Sequence, residues 1–318
     1  MAPIIKFENV SKTFGTIISR ARVISLRDIS LTINKGERVC LFGPNGAGKS
    51  TVMKAIMGLV NPSKGKVFVN NINVQKNPLK IKEMIGYLPS ELNFYKAVPC
   101  KESLYHFGIL RGLSHQQAKK EVERLLKMIG LIKWGDLPPK MMSSGMRQRF
   151  SLALALIGDP DIILFDEPVS FIDLQGQMKI FQLVNEYVEE NQEKTIIMCT
   201  HNIQQAMIMS DRLVLLDRGE IIIDGPIEEV VSQKCKYMQI ILSEDAPAQE
   251  IMKTIIGDEK YEISGRKILI RSDNALQISV DIINRLQANN ISIFSYRPLL
   301  EQKRTSTKND KNNVKEEE

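Results

Sequence analysis

The chain has 318 residues, 43% of them hydrophobic and 25% charged, with a formal net charge of +6. That length can bury a sizeable core and leaves room for two domains. Its longest apolar runs, such as Ala153 to Ile157 and Ile162 to Phe165, fall far short of the roughly 20 residues a membrane helix needs, and the opening MAPIIKFENV lacks a secretory leader's charged start and apolar run.

A cytosolic protein is therefore expected. The four cysteines, Cys40, Cys100, Cys199 and Cys235, show no paired or metal-like spacing. Cys40 and Cys199 sit inside apolar runs and read as reduced core residues. Acidic residues are mixed with basic ones along the whole chain. Arg20, Arg22 and Arg27, the one local basic cluster, read as a solvated face, and no nucleic-acid partner is expected.

The first 230 residues or so alternate short β-branched runs with helical patterns, which predicts an α/β fold without internal repeats. The run Arg38–Phe42 reads as a buried strand and leads into GPNGAGKST, Gly43 to Thr51. This segment satisfies G-x-x-x-x-G-K-[ST] and precedes a helical pattern beginning near Ser50. Gly43, Gly46 and Gly48 let the backbone curl around Pro44, Asn45 and Ala47, so that successive N–H groups point at phosphate oxygens. The following helix N-terminus adds partial positive charge at the same place. Lys49 is placed to reach the β- and γ-phosphates of ATP, and Ser50 to offer its hydroxyl to Mg²⁺.

Between Ser90 and Met142 the pattern turns helical. Ser114 and Gln117 form a capping box, after which Val122, Leu125, Leu126 and Ile129 recur at helical spacing. His106 and His115 fall in this helical insert and read as structural. Next comes DIILFDEP, Asp161 to Pro168, an apolar strand over Ile162–Phe165 that ends in two carboxylates. Asp166 is placed to hold Mg²⁺ through its water shell, and Glu167 to polarise a water for in-line attack on the γ-phosphorus. A further strand, Thr195–Thr200, delivers His201 to the same carboxyl edge of a parallel sheet, placed to contact the γ-phosphate and help fix the attacking water.

After about residue 234 the order becomes strand (Tyr237–Ser243), helix (Pro247–Ile256), strands (Lys260–Ile263 and Lys267–Arg271, flanking Gly265), helix (Asn274–Gln287) and strand (Ile291–Tyr296). That β-α-β-β-α-β order fits a small α+β, ferredoxin-like unit over residues 235–300. From 301 to 318 the only apolar residue is Val314, and a disordered tail is expected.

With these motifs in place, residues 1–234 resemble the ATP-binding subunit of an ABC transporter: a P-loop core carrying a helical subdomain at about 91–142. The resemblance adds residues to the site. Phe14, in SKTFG, matches the aromatic that stacks on adenine. MSSGMRQR, Met142 to Arg149, is similar to the family signature, in which Ser143, Ser144, Gly145 and Met146 would bind the γ-phosphate held by a second subunit. Ser144 departs there from the usual glycine. VSFID, Val169 to Asp173, matches the loop that follows the catalytic carboxylate, with Phe171 replacing a glycine. In IGYLPSE, Ser90 stands where the family carries a glutamine that touches Mg²⁺ and senses the membrane partner, with Glu91 beside it. Weaker hydrogen bonding at such a site is worth about 1–3 kcal/mol, which implies slower hydrolysis, not its absence. LLDRGEIIIDGP, Leu215 to Pro226, resembles the segment that closes the nucleotide domain, and the unit after 234 resembles the accessory domain of the drug- and polysaccharide-exporter branch.

The resemblance implies an ATPase that dimerises, with itself or a homologous subunit, around two ATP. It would sit on the cytoplasmic face of the membrane and drive a separate permease, with export favoured. Two alternatives share the motifs: a soluble ABC-type ATPase outside transport, and a catalytically attenuated partner in a heterodimeric transporter.

Overall fold

A computed structural model describes residues 2–15, 22–43, 46–90, 97–169, 172, 174–234, 237–242, 261–272, 275, 278, 282, 285–286, 291 and 293–298. The chain forms two compact units, Met1–Val230 and Val231–Glu318.

The first unit opens with a long antiparallel pair, β1 (Pro3–Phe14) and β2 (Val23–Asn34), followed by β3 (Arg38–Phe42) and helix α1 (Lys49–Ile56). Strands β4 (Lys64–Val69) and β5 (Ile72–Asn73) complete an antiparallel sheet of order β2-β1-β4-β5. Helix α2 (Pro78–Met84) and strand β6 (Ile85–Leu88) then lead to the helical insert. The insert holds α3 (Cys100–Leu110), α4 (His115–Met128) and two short 3₁₀ turns, Ile132–Trp134 and Pro139–Met141. It is followed by α5 (Ser144–Leu156), β7 (Ile162–Asp166), α6 (Leu174–Glu190), β8 (Thr195–Thr200), α7 (Ile203–Met209), β9 (Arg212–Asp217), β10 (Glu220–Pro226) and α8 (Ile227–Lys234).

The second sheet of this unit has order β10-β9-β3-β8-β7-β6. All its pairings are parallel except that of β9 with β10. Every residue of β7 and β8 is buried, as expected where helices cover both faces of a parallel sheet. The register sets Phe42 beside Thr200 and Asp166 beside Cys199. The chain therefore leaves β3, β7 and β8 at one edge, and Gly43, Glu167 and His201 are the first residues out.

The predicted capping box forms in full: Ser114 Oγ accepts from Gln117 N, and Gln117 Oε1 accepts from Ser114 N. Val122, Leu125, Leu126 and Ile129 are buried as the spacing requires. His106 and His115 are exposed, and His115 Nδ1 lies 2.6 Å from the Tyr105 hydroxyl. Cys40 and Cys199 are buried and unoxidised. Cys100, whose place was not legible in the sequence, joins them in the interior and packs its thiol on Met142 Sδ.

In the second unit, β11 (Tyr237–Leu242), β12 (Tyr261–Ser264), β13 (Lys267–Arg271) and β14 (Ile293–Pro298) form a wholly antiparallel sheet of order β12-β13-β11-β14. Met238, Ile240, Leu242, Ile268 and Ile270 are buried, with Ala275, Ile282 and Leu286 from the stretch expected to be helical. The last strand begins at Ile293, not at Ile291. Its span is set by its partner: β14 pairs with β11 from Leu242↔Ile293 to Met238↔Pro298. The helix expected over Pro247–Ile256 and the tail at 301–318 lie outside the described residues.

Candidate functional site

The glycine-rich loop leaves β3 under tight steric control. A Cβ on Gly43 would sit 2.1 Å from the Leu216 carbonyl oxygen, and one on Gly48 2.7 Å from that of Ser25. Both glycines have positive φ, 153° and 107°, so neither position admits another residue without backbone movement. Gly48 caps α1, and Gly219 N donates to Ala47 O at 3.0 Å. The turn between β9 and β10 thus braces the loop from outside. Pro44 and Asn45 lie outside the described residues; Gly46 is exposed and Ala47 buried.

Lys49 is the buried cation at the first position of α1, and its Nζ donates to Gly43 O at 2.7 Å. Ser50 Oγ donates to Asp166 Oδ1 at 3.2 Å, and the Tyr87 hydroxyl donates to Asp166 Oδ2 at 3.4 Å. An amide-lined helix start with a buried ammonium beside it is suited to a polyphosphate. Serine hydroxyl and aspartate carboxylate are hard oxygen donors. Among the described residues, no group of three or more His, Cys, Asp or Glu could hold a metal. This donor set fits Mg²⁺, which takes one or two protein oxygens and completes its shell with phosphate and water.

One residue beyond Asp166 the backbone bends sharply. Glu167 has φ of 54°, in the left-handed region that a side-chain-bearing residue enters at a cost of about 1–2 kcal/mol. Its N–H still donates to Cys199 O at 3.0 Å, prolonging the β7–β8 ladder by one bond before the turn. Its Oε1 lies 2.8 Å from His201 Nδ1, an approach in which the ring N–H donates to the carboxylate. His201 is itself held in a turn: Thr200 Oγ1 accepts from Asn202 N at 3.0 Å, and Asn202 caps α7 through Gln204 N and Gln205 N. Strain at a carboxylate beside a polyphosphate cradle is common at functional sites.

The remaining sequence-predicted residues are placed as follows. Phe14 ends β1 as an exposed residue, 41% accessible, and Lys12 Nζ stands 4.9 Å from its ring centroid. Ser90 is half-buried two residues past β6, on the sheet edge where Leu88 pairs beside Phe165. Ser143 is the N-cap of α5 and its Oγ accepts from Met146 N at 3.2 Å. Ser143 and Met146 are thus joined within the cap of α5. Ser144 is exposed and Gly145 half-buried. Glu91, Phe171 and Asp173 lie outside the described residues.

Tyr87, Ser25 and Gln148 are the site residues that the sequence did not reveal. Tyr87 is the polar-tipped residue in an otherwise apolar strand, the signal that could have marked it. Gln148 is buried and its Nε2 donates to Pro168 O, tying the signature helix α5 to the turn just after Glu167.

Burial pushes the Asp166 carboxyl above the ordinary carboxylate value, reinforced by the charge of Glu167 and opposed by the hydrogen bonds from Ser50 and Tyr87. Folding therefore favours the protonated form. That contribution is complete below the unfolded value and is lost as pH rises through the folded one. Asp166→Asn keeps a neutral group at every pH. It is expected to raise the Tm of nucleotide-free, metal-free protein at neutral pH, with a gain that shrinks as acid protonates the parent. A Tm series against pH checks both signs.

Comparison with known proteins agrees with this geometry. Residues 26–170 match the family model described as ABC transporter. The chain is 36% identical over 211 residues to the ABC transporter ATP-binding protein NatA of Bacillus subtilis, covering 65% of this chain and 84% of that one. The dimeric post-hydrolysis state of the ATP-binding cassette MJ0796 bound to ADP and Pi superposes with a TM-score of 0.64 at 29% identity, over 70% of this chain and 98% of the other. The cbiO1 subunit from Clostridium perfringens, part of the ABC transporter complex cbiONQ, superposes with a TM-score of 0.64 at 25% identity, over 73% and 91%. Among the described residues no helix is long and apolar enough to cross a membrane. A P-loop, a strand ending in paired carboxylates and a histidine one strand further on, on a fold shared with these cassettes, make the chain a member of the ABC transporter ATP-binding family, an ATPase subunit of a transporter.

Proposed function

We propose that the chain works as a dimer, of itself or with a homologous subunit, that closes around two ATP and drives a separate membrane permease from the cytoplasmic face. The observation that carries this reading is the row of groups along one sheet edge: Lys49 on Gly43, Ser50 on Asp166, and His201 on Glu167.

In this reading the N–H groups of Gly43–Thr51 and the Lys49 ammonium hold the β- and γ-phosphates, and Phe14 stacks on the base. Mg²⁺ would be held by Ser50 and Asp166, with Ser90 reaching it through water, and would neutralise charge on the phosphate oxygens. Glu167 accepts a proton from the attacking water, and His201 fixes the carboxylate that does so. Ser143, Ser144, Gly145 and Met146 face the γ-phosphate of the partner's nucleotide, and the cap that Ser143 makes on α5 keeps that helix start formed. The MJ0796 cassette, dimeric with ADP and Pi, supports the dimer, and cbiO1, a component of cbiONQ, supports a membrane partner. Residues 1–234 then form the ATP-binding domain and 235–300 an accessory ferredoxin-like domain. Likeness of the latter to the exporter branch favours export.

Closure is differential binding of ATP to the closed dimer, which hydrolysis removes. Sedimentation is the test. With Mg²⁺ and a non-hydrolysable ATP analogue the mass should double, and with ADP it should not. A chain that stays monomeric with both, and that brings no multi-span protein out of detergent-solubilised membranes, would refute the proposal.

A further inference from the structure

The hairpin of β1 and β2 is irregular where it passes the phosphate loop. Lys12 pairs with Leu26 and Thr13 with Ile24, so Ser25 is left over as a bulge residue. A bulge re-aims the side chain and carbonyl of the extra residue. Here the Ser25 carbonyl packs against Gly48 and Gly219, each of which would carry a Cβ 2.7 Å from it. The Ser25 hydroxyl meets the Thr51 hydroxyl at 2.8 Å. Thr51 lies in the first turn of α1, directly after Lys49 and Ser50, and is half-buried. Phe14, opposite Val23, ends the same hairpin only two positions from the bulge.

The hydroxyl pair therefore bridges the segment that holds phosphates and the hairpin that carries the base platform. A nucleotide spanning the two would lay its nucleoside-proximal phosphate along this bridge. A hydroxyl has one proton and can accept as well as donate. If Ser25 donates to Thr51, the Thr51 proton is turned outward, and a donor polarised by a second hydroxyl is the stronger one.

We propose that Ser25 is a positioning residue for nucleotide binding: its hydroxyl donates to Thr51 and aims the Thr51 hydroxyl at the phosphate next to the ribose. This rests on the assignment of the Lys49 loop as the nucleotide site. Because that phosphate is shared by ATP and ADP, the contact adds affinity to both and does not distinguish the ground state from the transition state.

Equilibrium titration with ATP and ADP, together with steady-state kinetics, provides the test. Ser25→Ala is expected to weaken both nucleotides about three- to ten-fold, the range for one lost hydrogen bond. KM for ATP should rise by the same factor while kcat moves by less than about two-fold. Ser25→Thr, which keeps a hydroxyl on a β-branched frame, should restore binding. In a Thr51→Val background the effect of Ser25→Ala should vanish, since the group through which it acts is gone. Unchanged affinity in Ser25→Ala, or an undiminished loss in the Thr51→Val background, would overturn the proposal. Lys49→Ala, run in parallel, separates the two layers: if it too left affinity intact, the nucleotide site itself would be misassigned.

Discussion

Lys49→Ala is expected to weaken ATP binding by about 100-fold and to reduce turnover to background. The ammonium is buried, hydrogen-bonded to Gly43 O, and stands at the start of α1. A charge-assisted bond to phosphate is worth about 1.5–3 kcal/mol in affinity. Loss of a cation that meets developing transition-state charge in a preorganised site removes about 10²–10³ more from kcat. The substitution leaves the Gly43 carbonyl without that donor but cuts no strand pairing, so the protein should fold. Circular dichroism establishes that control, and titration with a fluorescent ATP analogue followed by phosphate-release assays measures the effect. Wild-type affinity and turnover in the folded variant would remove the basis of the whole assignment.

Glu167→Gln should separate binding from chemistry. The amide keeps the size and planarity of the carboxylate and can still accept from His201 Nδ1, which lies 2.8 Å from Oε1. It cannot take a proton from water. General-base assistance is worth about 10²–10⁴ in rate, so kcat should fall by that factor while the Kd for ATP shifts by no more than a few-fold. The two variants thus differ in the affinity column of the same experiment. Lys49→Ala loses affinity and rate together, whereas Glu167→Gln loses rate alone. Single-turnover hydrolysis at saturating ATP gives the second number directly, and wild-type rates there would assign the base to another group.

The parts of this fold that could be read from the sequence are those in which each residue carries its own evidence. Strands β3, β7 and β8 are short apolar runs because helices cover both faces, and their predicted limits agree with the structure to within one residue. The capping box at Ser114 and Gln117 is a local code and formed as expected. The antiparallel sheet built on β1 and β2 was not foreseen. Register shifts along β1, between Phe7 and Val10, Val10 and Lys12, and Lys12 and Thr13, break the two-residue alternation by which such strands are recognised. Tyr87 and Ser25 were missed for a related reason. Each matters because a neighbouring strand or helix brings it beside Asp166 or Thr51, 79 and 26 positions away, and no linear spacing encodes that. Lys49, Ser50, Asp166, Glu167 and His201 stood out in the sequence because the expected motifs prescribe both residue type and order, and the structure brings them to one sheet edge.

The twist at position 167 has a consequence for anyone reshaping this protein. Its main chain sits where glycine, or a short amide such as asparagine, rests more comfortably than glutamate. With Glu167 as the proposed base, a library screened for heat resistance alone would drift away from the native residue there and return sturdier molecules that no longer turn over. Thermostabilisation of this scaffold has to hold that codon fixed and look for its gains elsewhere.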